Sequence, residues 1–287
     1  MPIRKDGKGK RWVEMEFLAP GTPEQVWQAM ATGPGNEAWF TRATIDERVG
    51  GALRFEFGAD GTSSGTVTVW EPPHRFGYVE DEWSPGAPPV ATEITITSRS
   101  GGQSVVRMVH SLYATSDDWD DQMESFEGGW PNFFAVLGLY LSRFAGQGGA
   151  SFPVTASVKD DHLAVWKRLT AALGLEGADV GEARATPNTP PPLSGVIERV
   201  QQDGTMRTIL MRTTTPSPGA ALVGTYDTSA TPGNGVVVRI RIVRMVPSCC
   251  TRSITPDSCG VVGVARASPT SAPSRPSAAV SRFQTAR

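Results

Sequence analysis

Three cysteines occur in the 287 residues, all of them in the short stretch Cys249, Cys250 and Cys259. A disulfide-stapled scaffold is therefore excluded, and their spacing lacks the paired pattern of a zinc site. There is no surplus of positive charge: the formal net charge is −2, so no basic face recommends nucleic acid as a partner. No apolar run approaches the ~20 residues that cross a bilayer. The basic start, Arg4-Lys5-Asp6-Gly7-Lys8, is not followed by the apolar core of a signal peptide, so a cytoplasmic location is expected. Histidines number three, with no second histidine or cysteine at ligand spacing, so neither a metal nor another cofactor is expected. Glu and Lys are absent beyond Glu198.

What is present is an ordered run of short segments ending in one long aromatic helix. Trp12–Phe17 alternates as a strand. Thr22-Pro23-Glu24 is a helix start, and Val26, Trp27 and Met30 then recur at helical spacing. Leu53, Phe55 and Phe57 alternate with charged residues, and Val67 and Val69 with threonines. Phe76 and Tyr78, Ile94 and Ile96, and Val106, Met108 and His110 continue the period of two, separated by short turns. An antiparallel meander follows. From Asp117 to Phe144 the period changes, and Trp119, Met123, Phe126, Trp130, Phe133, Phe134, Leu137, Tyr140, Leu141 and Phe144 form one wide apolar face. Pro131 is expected to kink this helix near Gly128-Gly129 without ending it. Asp117, Asp118, Asp120 and Asp121 are explained by the helix dipole at its start.

Gly146-Gln147-Gly148-Gly149 has the composition of a linker. Beyond it the order of the first half returns in weaker form. Val165-Trp166 echoes Val26-Trp27, Val180-Gly181 echoes Val49-Gly50, and Ser194-Gly195 echoes Ser64-Gly65. The expected organisation is a first domain over residues 11–145, a linker over 146–152, a diverged second copy over 153–246, and a Ser/Pro/Arg-rich tail over 247–287. Where the first half predicts a closing helix, the tail gives Pro247-Ser248-Cys249-Cys250 and then Pro269, Pro273 and Pro276. It is either disordered or out-of-frame coding.

The fold class implied is α+β: a curved antiparallel sheet wrapped around a long C-terminal helix, then a degenerate copy without that helix. The interior would be lined by Phe55, Phe57, Val67, Val69, Tyr78, Ile94, Ile96, Met108 and His110 from the strands. Trp130, Phe133, Phe134 and Leu137 would come from the helix, and Trp39 and Phe40 would close one end. His110 is the candidate acid–base residue, with Tyr78 beside it and Glu80 on the same strand face. A solid aromatic core and a structural histidine are the competing readings.

Ala19-Pro20 with Val26-Trp27, Trp39-Phe40, Val49-Gly50-Gly51, Gly65-Thr66-Val67 with Glu71-Pro72-Pro73, Val109-His110-Ser111 and Gly129-Trp130 together carry a resemblance. Residues from about Val13 to Phe144 resemble the START-like helix-grip (SRPBCC) superfamily, in the branch related to the C-terminal domain of the activator of the heat-shock-protein-90 ATPase. The resemblance implies a cavity between sheet and helix that binds a small hydrophobic or amphipathic molecule. It also implies two alternatives: a polyketide cyclase or hydratase using His110, or a module that binds a chaperone ATPase. It supplies no shared catalytic set.

Overall fold

The computed structural model describes residues 3–246, except 59–60, 82, 84–85, 115, 190, 205 and 228–234. The readings of the 247–287 tail and its three cysteines lie outside the described residues.

The described chain builds two antiparallel sheets with few helices. The first contains β1 (Arg4–Lys5), β2 (Lys10–Pro20), β3 (Arg42–Ile45), β4 (Ala52–Glu56), β5 (Thr62–Glu71), β6 (Arg75–Glu80), β7 (Val90–Arg99) and β8 (Gln103–Tyr113). Their order is β1-β2-β8-β7-β6-β5-β4-β3. Consecutive strands from β3 to β8 are neighbours, and β2 closes on β8. Between β2 and β3 lie α1 (Pro23–Ala31) and the short α2 (Gly33–Glu37). Thr22 caps α1 in a reciprocal box with Gln25, and Pro23 occupies its first turn.

The long helix α3 spans Asp120–Arg143 and lies on the inner face of this sheet, with Phe134 stacked on Phe17 of β2 at 3.9 Å. Pro131 sits inside it without ending it, as expected. The aspartates at its start have more to do than complement a dipole. Asp117 and Asp120 accept from the buried Arg11 at 2.5 and 2.7 Å, and Lys5 reaches both carboxylates. Four charges thus tie the beginning of α3 to β1 and β2. Lys5 and Arg11 hold the Asp117 carboxyl below its ordinary range.

The second sheet holds β9 (Gly148–Val158), β10 (Ala183–Thr186), β11 (Leu193–Asp203), β12 (Met206–Thr215), β13 (Gly219–Asp227) and β14 (Val236–Val246), in the order β10-β11-β12-β13-β14-β9. One helix, α4 (His162–Leu173), follows β9. Residues 148–152 are strand rather than linker. Their glycines suggested flexibility, but Gly148 to Phe152 pair in register with Val246 to Ile242 of β14, and a full ladder supplies what composition withheld.

The two sheets share strand order and local detail. In the first, Gly50 (φ +77°) donates to the Val67 carbonyl and Val67 donates to Gly51. In the second, Gly181 (φ +90°) donates to Ile197 and Ile197 donates to Glu182. Each sheet carries a register break just after that residue, between Val67 and Val69 and between Ile197 and Arg199. Trp27 and Trp166 are both buried.

The helix α3 is shared. On its other side it meets the back of the second sheet, whose Leu210, Ala220, Leu222, Val243 and Met245 join the core of the first half. The opposite face of that sheet forms a separate core under α4 with Trp166, Ile209, Met211, Ala221 and Val223.

Candidate functional site: a polar row under the long helix

The inner face of the first sheet is organised in cross-strand rows. Met15, Met108, Ile94, Phe76 and Trp70 stand opposite one another and form an apolar row. One step further along the strands, Val13, His110, Thr92, Tyr78 and Val67 form the next. Its three central members are polar and occupy adjacent strands. Glu80, two residues beyond Tyr78, shares their face.

All three residues of the polar row are buried. His110 Nδ1 lies 2.8 Å from the Thr92 hydroxyl, which also hydrogen-bonds Tyr78. The imidazole is covered by α3: Phe126 is 4.9 Å from it and Trp130 stacks on it at 5.8 Å. Its Nε2 has no hydrogen-bond partner among the described residues. Burial disfavours the imidazolium and brings its pKa down to about 3, so the ring is neutral at ordinary pH. The Tyr78 phenol is pushed well above its usual range by burial and then by the neighbouring Glu80. The Glu80 carboxyl is raised to about 7 by burial, against the Ser63 hydroxyl that donates to it at 2.5 Å.

Around this row the expected aromatic residues are brought together. Phe40 contacts Phe55, Phe57, Trp130 and Phe133, with ring centroids 5.1–6.2 Å apart. Trp39 is buried and donates from Nε1 to the Ala29 carbonyl at 2.9 Å, which fixes the segment after α2 against α1. Ile94, Ile96, Met108, Phe134 and Leu137 are buried in the same core.

Val69 is the exception. Strict alternation from Val67 predicts it inward, but the bulge after Val67 reverses the parity. Val69 stands opposite Gly77 on the outer face, and Trp70 takes the inward place opposite Phe76, with its ring 4.9 Å from Trp27.

Several contributors escaped the sequence reading. Thr92 shares parity with Ile94 and Ile96, so period two alone was enough to find it. Trp83, which packs on Trp119 and Phe126 and donates to the Pro88 carbonyl at 2.7 Å, carried no periodic signal. Ser151 and Arg241 come from the second sheet. Ser151 donates to the Phe40 carbonyl at 2.9 Å, and the Arg241 guanidinium lies 5.5 and 5.1 Å from the Phe40 and Phe133 rings. No group of three or more potential metal ligands occurs among the described residues.

A sheet gripping an aromatic helix over a polar row covers the same stretch that a family model recognises. Residues 20–142 match the model described as Activator of Hsp90 ATPase homolog 1-like protein. This stretch is similar to that family. No curated protein matches the chain. Among solved structures, the chain is similar to DynU16, a protein of the dynemicin biosynthetic locus (15% identity over 80% of this chain and 86% of that one, TM-score 0.41). It is similar to the di-domain ARO/CYC BexL from the BE-7585A biosynthetic pathway (13% identity, 83% and 86%, TM-score 0.44). A part of the chain is similar to MLL2253 from Mesorhizobium loti (25% identity, 47% and 98%, TM-score 0.41). No helix among the described residues is long and apolar enough to cross a membrane.

Proposed function

We propose that the first half, residues 11–145, is a helix-grip domain that binds a small apolar or amphipathic molecule between sheet and α3 without turning it over. Residues 153–246 are a diverged second copy of it. The observation that carries the binding reading is the orphaned His110 Nε2. A buried polar atom without a partner costs roughly 1–3 kcal/mol, and a ligand atom that meets it recovers that cost. The row assigns the chemistry. If Tyr78 donates to Thr92 and Thr92 to His110 Nδ1, every proton in the row is used and Nε2–H is left as a donor. The preferred ligand is then a largely aromatic or aliphatic body with one carbonyl, ether or hydroxyl oxygen. The body packs against Trp130, Phe133 and Phe55, and the oxygen accepts from Nε2.

A non-catalytic role is favoured over a cyclase by the same histidine. With its pKa near 3, the ring is a poor base at neutral pH. Duplication is supported by the matching glycine bends, the matching bulges and the common strand order.

Nile red, a neutral solvatochromic dye with one carbonyl oxygen, is the test probe. Titrated into the full chain, it is expected to bind saturably with a blue shift. His110→Phe should weaken binding about tenfold, the equivalent of one hydrogen bond to a buried donor. Absence of saturable binding, or equal binding by a folded His110→Phe variant, overturns the reading.

A further inference from the structure

The face of the second sheet that carries α4 is covered over β12 and β13 and open over β9 and β14. Phe152 stands opposite Ile242 and Val154 opposite Ile240, so four apolar side chains make a continuous strip on that face. Phe152 and Val154 are 51% and 61% exposed, and the two isoleucines are half-buried. In the first sheet the corresponding strands, β2 and β8, are covered on the corresponding face by α3, with Phe134 stacked on Phe17 and Trp130 on His110. The second sheet cannot use α3 in this way, because α3 lies against its back, over β12 and β13.

A charge marks one end of the strip. Arg244 shares the face of Ile240 and Ile242, and its guanidinium lies 5.9 Å from the Phe152 ring. Its Nε is shielded from solvent without a hydrogen-bond partner among the described residues.

We propose that this strip is a docking surface for an amphipathic α-helix of another protein. The helix sets its apolar face on Phe152, Val154, Ile240 and Ile242 and presents an acidic side chain to Arg244. A helix is chosen over a strand because the first half solves the same geometry with one. Another protein is chosen over the chain's own residues 247–287 on charge. That segment carries five arginines against one acid, Asp257, and so has little to offer Arg244. The inference shares no residue with the ligand reading above and does not depend on it.

The test uses the full chain and a fluorescein-labelled synthetic peptide with the sequence of α3, residues 120–143. Anisotropy titration is expected to show saturable binding. Val154→Glu, at an exposed position that leaves the core intact, should weaken binding at least tenfold. A peptide with its acids changed to amides should bind several-fold more weakly to the natural chain, with no further loss on Arg244→Gln. A photo-crosslinking residue in place of Val154 should capture the peptide. Absence of saturable binding, indifference to Val154→Glu, or indifference to removal of the acids overturns the proposal. So do crosslinks that run from position 154 to residues 247–287 or to a second copy of the chain.

Discussion

Glu80 and His110 share one inner face two strands apart, and burial moves them in directions that oppose each other as pH changes. His110, lowered to about 3 from 6.5, takes up a proton in the unfolded chain first, so its contribution is present above pH 6.5 and is lost as pH falls toward 3. Glu80, raised to about 7 from 4.5, holds its proton longer in the folded chain. Its contribution is present below pH 4.5 and is lost as pH rises through 7. Comparing Glu80→Gln with the natural chain cancels the histidine. In urea unfolding, the variant's stability relative to the natural chain is expected to rise from pH 5 to pH 8. The upper bound is about 3 kcal/mol, reduced because Glu80 at the sheet rim keeps some hydration. A difference that does not change between the two pH values would show that the Glu80 carboxyl titrates alike folded and unfolded.

At the scale of elements, one of the two glycine pairs that the sequence echo singled out, Gly65 and Gly195, has a single structural cause. A Cβ on Gly65 would run into the Val79 carbonyl, and one on Gly195 into the Arg212 carbonyl, in each case on the next strand. Gly65→Ala and Gly195→Ala should therefore each destabilise by about 2 kcal/mol or more, whereas Gly138→Ala, with open space at its Cβ on α3, should be neutral or stabilising. Denaturant midpoints of the three variants decide this. The same comparison shows what was legible in the chain. Strand order, the long helix and most inward aromatics follow from period two and period 3.6, because burial of one face imposes those periods directly. Val69 and Trp70 exchanged places because a bulge adds one residue without marking the composition. Asp117 and Asp120 were legible as a helix start but not as partners of Arg11, because an ion pair between residues a hundred positions apart leaves no periodic trace. Residues 148–152 looked like a linker because their pairing partner, β14, lies some ninety residues later.

For the molecule as a whole, α3 joins the two halves: one helix serves the front of one sheet and the back of the other. Beyond the apolar contacts, Thr208 donates to Asn132 at 3.0 Å and Arg199 to the Pro131 carbonyl at 3.1 Å. Both helix residues sit in its middle, where the first sheet also grips it. The described halves are thus expected to unfold in one cooperative step in calorimetry. Leu222→Asp, which places a carboxylate in the contact with α3, should lower protection against hydrogen exchange in α3 and the first sheet as well as in the second. Loss of protection confined to the second sheet would mean that the halves are energetically separate.

Phe40 is fastened twice by the other half, at its carbonyl by Ser151 and across its ring by Arg241. On the proposed binding reading, a guest leaving past Phe40 would have to wait for the two sheets to part. Its dwell time would then follow that separation rather than the strength of its own contacts, so a weakly held guest would still be a slow one to leave.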